Sequence, residues 1–352
     1  GLAVSLFAFY AALSLHGAES DVFVLAAAVI AGFGSAFYHP LGASVLQLNF
    51  ADAARGRALG INGAFGSLGR TVYPALFFVV AALGITKSDT TAVFGGISLV
   101  AAIVIAYGLR SKATAGPLDP PAPDDPAAPV ALQGATTADD PAGTPGDPEG
   151  PSLRGLLNRS VLALMVIAFL RSLAFIGIVS WVPIYLTTQR HAGVSGTLGI
   201  AVTVMYAGGI VGQPIFGMLV DRFDKRLVLA VDSLGSAAGT FVFLGTSGHG
   251  IAALFALALF GFFTFASFPL LLSLVADYVP KERSTTGNAL VWGLGSTGGQ
   301  ALGPLVASLL MLGSYSHLGL AFGILGGLAA ATALGTPLLA RTAQHGHMAL
   351  FG

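Results

Sequence analysis

The sequence predicts an all-α, polytopic membrane protein built from two bundles of helices. Three observations carry this. Of 352 residues, 55% are hydrophobic and 9% charged, and the mean hydropathy of +0.81 lies far above that of a water-exposed surface. The apolar residues gather in ten blocks, most of them longer than the roughly 20 residues a helix needs to cross a bilayer core. The sixteen Lys and Arg fall mainly in alternate connections between those blocks, the pattern of a chain threaded back and forth across a membrane.

In chain order the blocks are 1–16, 22–48, 58–83, 91–109, 160–187, 197–220, 227–246, 250–276, 286–312 and 318–340. Helix is the expected element because backbone groups facing lipid must be satisfied within their own segment, and the alternating pattern of a membrane barrel is absent. Arg55, Arg57, Arg110, Lys112, Arg154, Arg159, Arg222, Lys225, Arg226, Lys281, Arg283 and Arg341 occupy one set of connections or their edges, against Lys87 and Arg190 in the other. Twelve against two assigns the first set, with the C-terminus, to the cytoplasm, and the whole to the plasma (inner) membrane. Net charge zero without a basic stripe argues against nucleic acid as a partner. The chain has no cysteine, hence no disulfide framework, and no secretory leader is recognisable.

Between Ser111 and Leu153 stand ten of the eighteen prolines and seven acids, and no basic residue follows Lys112 until Arg154. Such a segment buries too little apolar surface to fold and reads as a disordered cytoplasmic linker. The expected organisation is a four-helix N-terminal bundle over 1–110, the linker over 111–153, and a six-helix bundle over 154–352. A weak repeat supports two related halves: ARGRALG leads into a block carrying Gly60, Gly63, Gly66 and Gly69, and PKERSTTG into one carrying Gly287, Gly293, Gly295, Gly299 and Gly303. On that reading the first half lacks two helices at its start, so the sequence is expected to be N-terminally incomplete.

The stretch from Gly217 to Arg226, GMLVDRFDKR, resembles the signature loop of the major facilitator superfamily, matched by Gly217, Asp221, Arg222, Lys225 and Arg226, with Asp224 where that family usually has glycine. Its acid and bases are expected to form ion pairs that break when the cytoplasmic side opens. GGQALGP, from Gly298 to Pro304, looks like the family's glycine-rich helix, in which small residues let helices approach closely. GFGSAFYHPLGAS, from Gly32 to Ser44, resembles the fosmidomycin-resistance type of drug exporter, although Leu41 follows the His-Pro pair where an acid is expected. The resemblance implies helices three to twelve of a twelve-helix, two-bundle fold, no cofactor, a monomer, and proton-coupled efflux.

Polar residues inside the blocks are the candidate site. Arg70 lies thirteen residues past Arg57, and Arg171 twelve past Arg159, so both sit roughly 18–20 Å from the cytoplasmic ends, near the midplane. An arginine there is costly unless it meets a partner or water, and its planar fork suits a carboxylate or phosphate. Each arginine therefore either holds an anionic group of the substrate or pairs with carbonyls or an acid. His39 is the only histidine of seven in the interior of a block, His16 standing at the very end of the first; with Pro40 bending the helix, His39 could turn toward a cavity and exchange a proton. The alternative is a neutral histidine bonded to a backbone carbonyl. Asp232, six residues past Arg226, is the second candidate for proton coupling, or else a partner of the basic loop. Tyr185, Gln213 and Trp292 are further candidates for lining the substrate pathway, with Trp181, Tyr206, Asn288 and Gln300.

The reading is a secondary transporter working by alternating access. No GxxxxGK[ST] stretch supports direct use of ATP. Efflux of a small compound, anionic if the arginines bind it, comes first, and uptake of an organic anion by symport second. A channel or a non-transporting receptor is the alternative from another class. An intramembrane enzyme is disfavoured, because His39, Asp232 and the arginines are spread in depth without a nucleophile and base together.

Overall fold

The computed structural model describes residues 2–15, 17–36, 38–50, 54–113, 156–190, 196–246 and 250–341. Every predicted block is helical there: α1 (Leu2–Ser14), α2 (Ala18–Ala36) and α3 (Tyr38–Asn49) in the first two, then α4 (Arg55–Ala82), α5 (Lys87–Ala113), α6 (Arg159–Thr188), α7 (Gly196–Arg222) and α8 (Lys225–Gly245). The eighth block is α9 (Gly250–Thr264) and α10 (Ser267–Tyr278). The ninth is α11 (Ser284–Asn288), a π-helical stretch Ala289–Thr297 and α12 (Gly298–Leu310), and the tenth is α13 (Leu318–Thr332). Among the described residues six stretches are both long and apolar enough to cross a membrane: Ser88–Tyr107, Arg159–Thr188, Thr197–Arg222, Lys225–Gly245, Gly250–Tyr278 and Tyr315–Leu338. The expected linker lies outside the described residues except for 111–113, which continue α5.

Local chemistry accounts for the element ends. Thr86 precedes α5 and accepts from the Asp89 amide at 3.1 Å while its hydroxyl donates to the Asp89 carboxylate at 2.6 Å, satisfying an amide that lacks an intrahelical partner. Asn158 caps α6 by accepting from Val161 N at 3.0 Å, and Asp224 caps α8 by accepting from Arg226 N at 3.0 Å. The helix of the eighth block is interrupted at Phe265 and Ala266 because Pro269 has no amide to offer the Phe265 carbonyl, against which its ring would also press. Pro40 falls in the first turn of α3, where an amide would have no helical acceptor, and Phe37 before it lies outside the described residues.

The chain divides into two compact units, one of residues 1–41 and 76–131, the other of 42–75 and 132–352. In the first, α1 packs on α2 and α5; Ser5 Oγ donates to the Ala27 carbonyl at 2.8 Å, and the Phe7 ring covers Gly95. In the second, α6 packs against α12, the π stretch and α13, α7 against α9, and α8 against α9 and α13. The GGQALGP stretch serves the close approach expected of it: a Cβ on Gly303 would stand 2.6 Å from the Leu173 carbonyl and 2.8 Å from the Gly177 amide. The grouping runs across the division expected at 110, since residues 42–75 pack with the C-terminal helices. The reason is glycine again. A Cβ on Gly56 would lie 2.5 Å from the Gly217 carbonyl, and one on Gly60 2.5 Å from the Gln213 carbonyl, so α4 and α7 meet backbone to backbone.

Candidate functional site

In the larger unit α4 presents three faces. Gly56, Leu59, Gly60, Gly63, Ser67 and Thr71 are buried. Ile61, Phe65, Leu68 and Val72, spaced by four, three and four, form an exposed apolar stripe, as a lipid-facing surface requires. The third face is exposed but carries no aliphatic side chain: Gly66, Gly69, Arg70 and Tyr73, with the half-buried Asn62 above it. Arg70 sits over the Phe265 ring at 5.5 Å from its centroid, within cation–π range. Phe265 stacks on Tyr206 at 5.1 Å and meets Phe175 edge-on at 6.3 Å. A guanidinium on a polar exposed face with an aromatic floor is chemically suited to an anion attached to an apolar or aromatic body.

Arg171 has the opposite surroundings. It is 1% exposed and forms an ion pair with Asp232, itself fully buried. Its Nη2 also donates to the Phe263 carbonyl at 3.2 Å and Ser236 Oγ at 3.4 Å, and its guanidinium stands 5.9 Å from the Phe175 centroid. Of the alternatives open from the sequence, pairing with an acid is therefore the one found for Arg171. Asp232 is corrected with it. Helical rise alone set it shallow enough for the basic loop, but its rotation about α8 turns it toward α6. The pair is not saturated: among the described residues Arg171 Nε and Nη1 have no hydrogen-bond acceptor, and the Asp232 oxygens have no hydrogen bond beyond the ion pair.

The two arginines thus each face one ring of the Phe175–Phe265 pair, Arg171 sealed and Arg70 exposed. Tyr206 stacks on the same Phe265 ring that Arg70 covers, and Tyr73 is exposed on the next turn of α4. His39 belongs to the smaller unit and is half-buried.

Three expected pathway residues are committed elsewhere. Tyr185 is 2% exposed, packed against Phe243 and Phe322, and its hydroxyl accepts from Arg190 at 2.7 and 3.0 Å. Gln213 is fully buried, donates to Ser67 Oγ at 2.5 Å and fills the space left by Gly63. Trp292 is buried edge-on against Phe268 at 5.2 Å. Each was a polar or amphipathic group in an apolar block, and in each case another helix supplied the contact that water or substrate was expected to supply.

The signature loop is ordered differently from the expected set of ion pairs. Asp221 accepts from the backbone amides of Gly56 and Arg57, both at 2.9 Å, placing a carboxylate on the positive end of α4. Lys225 pairs with Asp277 at 2.6 Å and donates to the Ser273 carbonyl at 3.3 Å. Arg226 pairs with Asp224 at 2.7 Å, and its guanidinium holds the Asp224 carboxyl below the usual carboxylate range. Arg222 is exposed. Gly217 admits the α4 backbone.

Sequence reasoning missed a buried amide pair. Asn288 donates to Gln47 at 2.8 Å while Gln47 Nε2 donates to Asn288 at 3.2 Å and to the Leu272 carbonyl at 2.8 Å, with Ser44 accepting from both Asn288 and Thr285. Gln47 near the end of an apolar block and Asn288 inside another were the only signal.

Comparison with known proteins agrees with this architecture. The Major Facilitator Superfamily family model matches residues 1–291 and 191–347. An uncharacterized protein of Archaeoglobus fulgidus is 32% identical over 158 residues, 45% of this chain and 71% of that protein. An uncharacterized MFS-type transporter of Enterobacter sp. (strain 638) is 33% identical over 130 residues, 37% of this chain and 32% of its own length. Among solved structures, the E. coli fucose:proton symporter FucP aligns over 96% of this chain and 82% of its own, with TM-score 0.61 and 16% identity. The proton:xylose symporter XylE aligns over 95% and 78%, with TM-score 0.59 and 14% identity. The chain belongs to the major facilitator superfamily and is a multi-pass membrane secondary transporter, not an enzyme.

Proposed function

We propose that this transporter exports a small anionic compound in exchange for protons, as the resemblance to the fosmidomycin-resistance exporters implies, with Arg70 as the anion contact. The observation that carries the reading is the third face of α4: a guanidinium exposed on a polar surface, separate from the apolar stripe, and backed by Phe265 and Tyr206. The proton-linked element on this reading is Asp232. Protonation of its carboxyl would cancel the attraction holding Arg171 and leave a buried guanidinium uncompensated, so the two charge states favour different packings of α6 and α8.

Uptake by proton symport is the second reading, favoured by the printed descriptions of FucP and XylE as proton symporters. One experiment separates the two. Proteoliposomes are given labelled fosmidomycin and a panel of small carboxylates and phosphonates, under pH gradients of either sign. Exchange accumulates substrate when the lumen is acid, symport when the outside is acid, and indifference to both removes proton coupling. Arg70→Ala is expected to raise KM at least ten-fold for the anion with correct insertion retained, and Arg70→Lys to recover part of it. Wild-type KM in Arg70→Ala would remove the arginine from the site.

A further inference from the structure

Beside the first turn of α4 lies an open cavity of about 280 Å³ whose lining includes none of the candidate transport-site residues. Its walls are Leu46 and Phe50 from the end of α3 and Ala58 and Ile61 from α4, with Arg57 and Asn62 as the polar groups at its rim. Arg57 is exposed and makes no ion pair among the described residues. The carboxylate that feels its charge, Asp221, spends its oxygens on the Gly56 and Arg57 amides. The cavity is continuous along α4 with the exposed apolar stripe, because Ile61 belongs to both.

We propose that this groove is a binding site for an anionic phospholipid, with Arg57 holding the headgroup phosphate and one acyl chain running past Ile61 along the α4 stripe. Two features commit it to that occupant. Charge is complementary: the guanidinium among the groove's lining residues, Arg57, is exposed and stands at the end of the chain's helices where the basic residues gather, the level at which anionic headgroups lie. The chemistry is also in the right order along α4, since Arg57 is in its first turn and Ile61, one turn further on, leads into the exposed apolar stripe. A soluble phosphate would gain nothing from Leu46, Phe50 and Ile61, and a wholly apolar ligand nothing from Arg57.

The test is native mass spectrometry of the full-length chain titrated with dioleoyl phosphatidylglycerol or dioleoyl phosphatidylcholine. Wild type is expected to retain phosphatidylglycerol preferentially, and Arg57→Gln to lose about five-fold of that preference, the factor that one basic residue near an anionic surface contributes. Arg57→Lys should keep most of it. Ala58→Phe, which fills the groove and spares the guanidinium, should lower retention of phosphatidylglycerol as well, whereas Arg159→Gln, at an exposed arginine on another helix, should not. Glycerol phosphate in excess is not expected to compete. Equal retention by wild type and Arg57→Gln, competition by glycerol phosphate, or indifference to Ala58→Phe would each overturn the proposal. Monodisperse elution and an unchanged melting temperature of Arg57→Gln separate loss of the site from loss of the fold.

Discussion

Replacing Asp232 by Ala leaves the Arg171 guanidinium, 1% exposed, with one carbonyl and one hydroxyl as its remaining partners. Neither carries the charge that offset its desolvation. Removing one member of a buried pair costs about 3–5 kcal/mol, most of it the uncompensated charge left behind. For a unit of this size about 2–4 °C accompanies each kcal/mol, so the melting temperature should fall by roughly 6–20 °C. Arg171→Met should fall by a similar amount, because Asp232 then becomes the orphan. The double variant Arg171→Met with Asp232→Leu removes both charges and fills the space, and is expected to melt within a few degrees of wild type or above it. Thermal unfolding of the four proteins in one detergent, followed by tryptophan fluorescence and by the monodisperse fraction, closes the cycle. Single variants that melt like wild type, or losses that add in the double variant, would refute the view that these two groups stabilise each other inside the unit.

Other consequences are read in the same way. Gly56→Ala places a methyl 2.5 Å from the Asp221 carboxylate and the Gly217 carbonyl, which should destabilise by about 1–3 kcal/mol and force α4 from α7, visible as new solvent accessibility at this contact. Asp221→Asn keeps an acceptor but loses the charge at the α4 terminus, at roughly 0.5–2 kcal/mol; the chain has no cysteine, so one engineered cysteine beside Gly217 should label faster in this variant. Gln47→Ala and Asn288→Ala should each cost about 1–3 kcal/mol by orphaning the partner amide, and the double variant less than their sum. The Asp224 carboxyl is held down first by its hydrogen bond from Arg226. Its contribution is therefore present above about pH 4, the unfolded value, and lost as pH falls through its lower folded value. At a partly exposed pair this is under about 1 kcal/mol, and a melting curve of Asp224→Asn against pH should lack that acidic limb.

Composition and order alone determined that the chain crosses a membrane and where its helical blocks lie, and gave each charge an expected depth. Hydropathy is a sum over neighbours in sequence, and depth is a count of residues at a fixed rise. The close approach at the α12 glycines was legible as the GGQALGP motif, whereas the eighth block read as one unbroken segment and is split before Pro269. The family's signature loop was legible as a motif, but its partners were not. Asp221 binds two backbone amides, a donor that almost every residue offers and that no residue type marks.

The azimuth of each side chain was decided only by the tertiary structure. Arg70 and Arg171 read alike in the sequence, at matching depth in apolar surroundings. Rotation about their own helix axes exposes one over Phe265 and encloses the other against Asp232, 61 positions away in the chain. Which neighbour a buried charge meets depends on how several helices pack around it, and that is set by the close approach of glycines and aromatic rings from distant segments, a sum over space that no window of sequence contains.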